Sequence, residues 1–382
     1  MPKVLQVSVV ENAVIGNILK PTYFPGLSGL RAIAAATVLF VHVELYKMMN
    51  GFPNFWNDVA IVMAQRAVTF FFVLSGFLIT YLLFQEHQKG EISIKKFYSR
   101  RVLRIWPLYF LFFLIGVFSV EIYDKYMLRT IFLYALFLPN LSLALGFGLP
   151  NAFMMWSVGV EEQFYLVWPW IMKIKEEFIG LSVAVVFAFA LLRNGSQYIS
   201  GYFGNPIIDQ YLRHAAEFFE MTSLGAMAIG GLGAYCLFFR KEFVLRFLIN
   251  SWSFLAAVII ICLLFYFAVK IPYFNTEVYS VLFIILIANI GMGKANLLLE
   301  NKLCRFLGNI SYGIYMYNLL VIKLCMHVYK DVLHLKFNTG FHHLLFSIVN
   351  FCATVLVAWL SYQLIEKRFL NLKARLQLQP AV

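Results

Sequence analysis

Charged residues are scarce in this chain of 382 residues, and Asp, Glu, Lys and Arg together make up only 13%. Because soluble domains carry about 25% charged residues, this shortage excludes a soluble globular protein. A disordered chain is excluded as well, since 62% of the residues are hydrophobic and 18% are aromatic, far more apolar surface than disordered chains contain. The composition therefore indicates a polytopic membrane protein.

Acidic residues are outnumbered, with 19 Asp and Glu against 31 Lys and Arg, which gives a formal net charge of +12. In a membrane protein such an excess is explained by basic residues that collect in cytoplasmic loops, so we expect membrane lipid as a partner and no nucleic acid. The chain has only five cysteines, which lie in or beside apolar stretches at no metal-like spacing. Their odd number argues against a disulfide framework, and we expect no metal site.

Apolar runs bounded by charge or by glycine and proline clusters mark the candidate membrane spans. These runs are about 27–46, 65–84, 103–122, 156–172, 178–192, 216–239, 249–269, 277–293, 306–328 and 342–363. A weaker stretch, 131–149, contains Pro139 and is interpreted as re-entrant or broken, a form tolerated where protein or water covers the backbone. We therefore predict an all-α fold: a polytopic transmembrane helical bundle of about ten spans plus one re-entrant or broken segment, in a single domain over residues 1–382.

The orientation follows from the distribution of positive charge. The loop between the second and third spans is rich in positive charge, which comes from Lys89, Lys95, Lys96, Arg100, Arg101 and Arg104. Such a loop is expected to be cytoplasmic, and two spans precede it. Both termini are then cytoplasmic, with residues 1–24 as an N-terminal segment and 368–382 as a tail. Residues 193–214 form an extracytoplasmic loop that is either plainly solvated or a contact for an acceptor.

Two ionisable residues of the first span, Arg31 and His42, share one helical face. They are 11 positions apart, which leaves their side chains within ~20° of each other and roughly 16 Å apart along the helix axis. Each has a structural explanation, Arg31 as a cation that snorkels to the interface and His42 as a histidine bonded across the bundle. The shared face favours a functional pair, because histidine accepts and returns a proton near neutral pH.

Arg101 and Arg104 lie three positions apart just before the third span. At this spacing the two guanidinium groups project from one helical face, and planar guanidinium forks suit phosphate or pyrophosphate. Ordinary cytoplasmic charge or contact with lipid headgroups is the alternative.

Adjacent carboxylates, Glu161 and Glu162, stand in an aromatic-rich span. They point about 100° apart on a helix, so they do not both face one partner. One is expected to pair with a buried arginine or to orient an imidazole, and the other to cap a helix or face water.

Small and polar residues of two other spans indicate helix packing. Ser75 and Gly76 allow close approach of helices, and Ser311, Tyr315 and Asn318 lie on nearby faces, where they can hydrogen-bond across the bundle.

Several segments, in this order, resemble the acyltransferase-3 family of integral membrane sugar O-acyltransferases. They are PGLSGLRAIAAATVLFVH (25–42), FFVLSGFLIT (71–80), RRVLRIWPLYF (100–110), WSVGVEEQFYLVWP (156–169), LGNISYGIYMYN (307–318) and SYQLIEKRFL (361–370). The resemblance implies transfer of an acyl group, commonly acetyl, from cytoplasmic acyl-CoA (acetyl-CoA) as co-substrate to a hydroxyl of a cell-surface glycan or lipid-linked sugar. It also implies the bacterial inner (plasma) membrane.

The resemblance further implies roles for the residues singled out above. Its Arg-x10-His motif falls on Arg31 and His42. Our hypothesis is that His42 is the general base that deprotonates the acceptor hydroxyl, and that Arg31 stabilises the developing oxyanion or orients the donor or the imidazole. The Arg-x-x-Arg motif, Arg101 and Arg104, is implied to hold the CoA phosphates.

The remaining block of the family places a catalytic carboxylate at Glu161, with Glu162 beside it. At Asn318 the chain departs from relatives, which often have histidine there. A transporter or flippase of a lipid-linked sugar is the alternative function, because polar residues in a membrane cavity serve it equally well.

Overall fold

The described structure is helical. In a computed structural model of the protein, the described residues are 23–55, 57–121, 125–174, 177–293, 298–337 and 339–378, with side chains described up to residue 372. Within these residues the regular secondary structure is α-helix and short 3₁₀- and π-helical turns, so the predicted all-α fold is confirmed. The predicted cytoplasmic segment 1–24 lies outside the described residues up to residue 22, as does the predicted tail beyond residue 378.

The helices follow one another through short connections. They are α1 (Leu27–Met49), α2 (Asp58–Gln88), α3 (Ile94–Phe118), α4 (Lys125–Ala135), α5 (Pro139–Ala144), α6 (Met155–Lys173), α7 (Phe178–Ile199), α8 (Pro206–Met221), α9 (Leu224–Phe238), α10 (Glu242–Leu248), α11 (Ser251–Tyr266), α12 (Asn275–Gly291), α13 (Lys302–Asn309), α14 (Ser311–His327), α15 (Gly340–Ser361) and α16 (Lys367–Leu378). Two π-helical turns, Val328–Val332 and Tyr362–Glu366, follow α14 and α15.

Six helical stretches of the described chain are long and apolar enough to cross a membrane, and α10 with α11, bent by 53°, makes a seventh if the pair is one span. The protein is therefore an integral membrane protein. The count of about ten spans is not confirmed. α12 and α14 have 17 residues each, which is below the ~20 residues of an upright span, and the larger count stays a prediction.

The stretch predicted to be re-entrant or broken consists of two short helices. α4 and α5 have 11 and 6 residues, and Phe137 between them adopts a left-handed backbone conformation with φ 59°. Gln163 of α6 donates from Nε2 to the Phe137 carbonyl at 2.9 Å and to Asn140 Oδ1 at 2.8 Å. The interrupted backbone is thus satisfied by protein, the condition under which such segments are tolerated at membrane depth.

α2 and α9 approach closely because each has a glycine at the contact. The Ser75-Gly76 pair of α2 predicted such a close approach. A Cβ at Gly76 would lie 2.0 Å from the carbonyl oxygen of Met227, and one at Gly230 would lie 2.1 Å from the carbonyl oxygen of Val73. The two backbones therefore touch directly, and any side chain at either position would force the helices apart.

The start of α1 is held against the segment that precedes α14. Gly26, with φ 77°, donates its backbone N–H to Glu300 Oε2, and a Cβ at Gly29 would lie 2.6 Å from the Leu299 carbonyl oxygen. A Cβ at Gly308 would lie 2.3 Å from the carbonyl oxygen of Ser28. These contacts determine where the first turn of α1, and with it Arg31, enters the bundle.

The loop predicted over 193–214 is wrong. α7 continues to Ile199 and α8 begins at Pro206, so only a short turn connects them. Arg193 is buried and forms ion pairs with Glu277 at 3.0 Å and Glu220 at 3.4 Å. Ion pairing with two carboxylates makes this arginine part of the helix packing rather than a residue of an exposed loop.

Candidate active site

A cavity of about 180 Å³ brings four of the six predicted site residues together. Arg31 enters it from α1, Arg101 and Arg104 from α3, and Glu161 from α6. Hydroxyl groups complete the polar part of its lining, namely those of Ser75, Ser157, Tyr165, Ser311, Tyr312 and Tyr315. The arginine pair of α3 and Arg31, in the first turns of α1, therefore line the same cavity, although the pair lies about 70 residues after Arg31 in the sequence.

The charge of this cavity is unbalanced, with three guanidinium groups and one carboxylate among its lining residues. Glu161 accepts a hydrogen bond from the Tyr165 hydroxyl at 2.9 Å, and no ion pair joins it to the arginines in the described part of the chain. Arg101 stacks over Tyr165 at 5.6 Å, and its buried Nε has no hydrogen-bond partner. The chamber is thus suited to an anionic ligand or to negative charge that develops in a reaction.

Glu162 points away from the cavity. Its Oε2 accepts a hydrogen bond from Trp106 Nε1 at 3.0 Å, and its buried Oε1 has no partner. The divergence of about 100° expected for neighbouring helical residues is observed: Glu161 faces the arginines, and Glu162 faces protein. Glu162 is absent from the described lining of the cavity.

His42 lies buried outside that lining and contacts Asn318 of α14, with 2.9 Å between His42 Nδ1 and Asn318 Oδ1. The Nδ2 of Asn318 donates to the carbonyl oxygen of Tyr315, so its Oδ1 is the atom turned toward the imidazole. An amide oxygen only accepts. His42 must therefore carry its proton on Nδ1 when neutral, which leaves the Nε2 lone pair as the basic site.

Tyr315 stands between the two predicted halves of the site. Its hydroxyl lines the cavity and bonds Ser157 Oγ at 2.7 Å, while its carbonyl accepts from Asn318. Because Asn318 follows Tyr315 by three residues, the imidazole contact lies about 4.5 Å further along α14. Arg31 and His42 are thus on one helix, but only Arg31 is among the described residues that line the cavity. The hydrogen-bonded pair Tyr315 and Ser157 belongs to the part of the lining that is linked to His42 through Asn318, and we call this pair the Tyr315–Ser157 wall. The predicted cross-bundle bonds of Tyr315 and Asn318 are present, whereas Ser311 bonds the Gly308 carbonyl of its own preceding turn.

Sequence reasoning did not place the hydroxyl groups around the arginines in the site. From the sequence, Ser75, Ser311 and Tyr315 are interpreted as packing residues, because serine and tyrosine at helical spacing in apolar spans serve both purposes. Glu366 was not singled out either: it is a buried carboxylate whose Oε1 has no partner, in the π-helical turn that packs on α3, close enough to Arg104 to interact with its charge but absent from the described lining of the cavity. Its neighbours Lys367 and Arg368 give it the sequence pattern of an interfacial charge. In the described residues, no group of three or more His, Cys, Asp or Glu could hold a metal ion.

Comparison with known proteins identifies the class. The model of the acyltransferase-3 family, described as an acyltransferase domain, matches residues 24–363, and the chain belongs to this family. A Bacillus subtilis protein provisionally named peptidoglycan O-acetyltransferase YrhL is 28% identical over 370 residues, 90% of this chain and 54% of the relative. The peptidoglycan O-acetyltransferase OatA of Listeria monocytogenes is 31% identical over 160 residues, 38% of this chain and 24% of the relative.

A Staphylococcus aureus protein provisionally named an O-acetyltransferase is 24% identical over 387 aligned positions, 92% of this chain and 58% of that relative. The chain spans little more than half the length of the relatives that it matches throughout. No solved structure matches the chain.

Proposed function

We propose that the chain is a membrane O-acyltransferase that moves an acyl group, acetyl in the first instance, from acyl-CoA to a hydroxyl of a cell-surface glycan. The observation that carries the proposal is the cavity in which Arg31, Arg101 and Arg104 meet a single carboxylate, Glu161. Peptidoglycan is the first acceptor to test, because two of the relatives are named for its O-acetylation.

The arginines would act on the donor. Guanidinium groups bind phosphate oxygens bidentately, and a guanidinium aimed at the thioester carbonyl stabilises the oxyanion that forms when an acceptor attacks. Arg31 is the most suitable group for this second role, since it reaches the cavity from the helix that also carries His42. Glu161, hydrogen-bonded to the Tyr165 hydroxyl, would hold in place the ring over which Arg101 stacks.

His42 would act on the acceptor as the general base. Its Nε2 takes the proton of the acceptor hydroxyl while that oxygen attacks the thioester carbonyl. The carbon–sulfur bond then breaks, and the CoA thiolate takes the proton back from the imidazolium. Such proton transfer contributes about 10²–10⁴-fold to a rate. In this arrangement the acceptor approaches from the His42 side of the Tyr315–Ser157 wall and the donor from the arginine side, so the wall has to open during turnover.

The same arrangement suggests a topology. The donor would enter from the cytoplasm through the basic end of α3, with both termini on that side of the bacterial inner membrane, and the acceptor would lie across it. A lipid-linked sugar would reach the site from within the membrane, whereas a cell-surface glycan would reach it from the outer side.

The test is acetylation by the purified full-length protein in lipid nanodiscs, with acetyl-CoA and peptidoglycan fragments. We expect release of free CoA thiol together with fragments heavier by one acetyl group. His42→Ala should abolish both signals, whereas His87→Ala, at the end of α2, should leave them unchanged. Wild-type turnover by the His42 variant would remove the base assignment. Glycan movement across the bilayer without release of CoA would replace the enzyme with a carrier.

A further inference from the structure

A second pocket, of about 420 Å³, lies beside the arginine cavity between the end of α2 and the start of α3. The two share part of their walls, formed by Ile79, Leu82 and Arg101. Arg101 therefore faces both chambers, and a long ligand can lie in the two together. The rim of the second pocket is made by the basic connection between the helices.

The charge of this pocket is positive. Its lining has four cationic side chains, Lys89, Lys96, Arg100 and Arg101, against one carboxylate, Glu86. Glu86 is engaged, because its Oε2 pairs with Arg100 Nη2 at 2.7 Å and its Oε1 accepts from the backbone N–H at the α3 cap.

Lys89 and Lys96, unlike Arg100 and Glu86, have no ionic partner in the described part of the chain. Both lysines are exposed. They supply two uncompensated ammonium groups at the mouth of the pocket.

We propose that this pocket binds the 3′-phosphorylated nucleotide end of acyl-CoA, with Lys89 and Lys96 on its phosphates, while the thioester end occupies the arginine cavity. The inference rests on the proposed function and assigns the two ends of the donor to two chambers. The inner cavity, with its hydroxyls and Arg31, suits the reacting carbonyl, and the outer pocket, with its lysines, suits the phosphates of a nucleotide. Ammonium groups are compact point charges, and exposed ones can release the phosphates of the product CoA.

This proposal gives the basic residues different roles from those expected from the sequence. The Arg-x-x-Arg pair, taken from the sequence as the holder of the CoA phosphates, lies on the inner cavity. Arg101 is then the link between the chambers, and the discrimination of phosphorylated donor belongs to the lysines outside it. A free phosphate lacks the pantetheine arm, so it should bind the lysines far more weakly than the nucleotide does.

Isothermal titration of the purified full-length protein with CoA and with 3′-dephospho-CoA tests the subsite without an acceptor. We expect the wild type to bind CoA ~10-fold or more tightly than 3′-dephospho-CoA, the effect of a charged hydrogen bond to a phosphate. The Lys89→Ala/Lys96→Ala double variant should lose this preference and bind both ligands equally. Lys95→Ala is the matched control, since Lys95 is exposed and outside the described lining of the pocket, and it should keep the preference.

Each contrary result has a distinct meaning. Equal affinity of the wild type for the two ligands, or the same loss in Lys95→Ala as in the double variant, overturns the subsite and leaves acetyl transfer to be judged by its own assay. Equal weakening of both ligands by the double variant overturns it too, because the lysines would then act as general positive charge. Failure of CoA itself to bind the wild type overturns the subsite together with the CoA-dependent function.

Discussion

The imidazole of His42 and the amide of Asn318 meet inside the bundle, with 2.9 Å between Nδ1 and Oδ1. The amide is oriented by its own helix, because its Nδ2 donates to the Tyr315 carbonyl. A residue of α14 thereby selects the tautomer of a histidine on α1. Asn318 is thus in direct contact with the proposed base.

Removal of this contact should affect the chemical step. We expect Asn318→Ala to lower kcat about tenfold or more, since a base without its orienting partner loses part of the 10²–10⁴-fold effect of proton transfer, while the KM for acetyl-CoA stays unchanged. Steady-state kinetics against acetyl-CoA at saturating acceptor give both constants. Asn318→His should restore most of kcat, because an imidazole nitrogen can accept the same hydrogen bond. A variant whose KM rises while kcat stays constant would show that Asn318 serves donor binding instead.

The neighbouring carboxylates offer a matched pair of substitutions. Glu161→Gln removes the only described negative charge of the arginine cavity and weakens the charged hydrogen bond to Tyr165, so it should lower kcat/KM for acetyl-CoA by about tenfold. Glu162→Gln keeps the acceptor for Trp106 and should leave both kinetic constants close to those of the wild type. Equal effects of the two substitutions would contradict the separate roles that their side chains have in the structure.

The α2–α9 contact should be sensitive to a single methyl group. Gly230→Ala places a Cβ 2.1 Å from a backbone oxygen of α2, and overpacking of this kind costs about 1–3 kcal/mol. The thermal unfolding midpoint in detergent should fall accordingly. Gly195→Ala in α7 is the control, because nothing lies within 4 Å of its Cβ position and alanine favours a helix; its midpoint should stay level or rise. Equal midpoints for the two variants would mean that the helices can move apart at no cost.

The anchor of α1 should depend on pH. Hydrogen bonds from Tyr23 and from the Gly26 N–H hold the pKa of Glu300, outside the spans, below its ordinary value. Its carboxylate therefore stabilises the fold above the unfolded-state pKa of about 4.3, and this contribution is lost as the pH falls through the lower folded-state value. Glu300→Gln should unfold at a lower temperature than the wild type at neutral pH.

The comparison across pH is the decisive measurement for this anchor. The difference between the two unfolding midpoints should shrink as the pH falls below about 4. A difference that is the same at pH ~7 and pH ~3 would show that the substitution acts through shape rather than through the charge of Glu300.

Much of the site could be predicted from local spacing. Arg101 and Arg104 share a helical face because they are three residues apart, and the divergence of Glu161 and Glu162 follows from the rotation of about 100° per residue. The broken segment at 131–149 followed from the clustering of Pro139, Gly146 and Gly148 within a few residues, because proline lacks a backbone donor and glycine lowers helix stability. The loop at 193–214 was predicted wrongly, since a cluster of polar residues also occurs where a buried ion pair, such as Arg193 with Glu277, satisfies it.

Composition and periodicity by themselves determined that this chain is an integral membrane bundle of helices, because the free energy of placing residues in lipid depends on their apolar character and spacing along one segment. The tertiary structure decided which helices meet. Only it could place Glu161 among arginines from two other helices, set Asn318 against His42, and seat the histidine behind Tyr315, since such contacts between distant segments depend on side-chain packing that no single helix encodes.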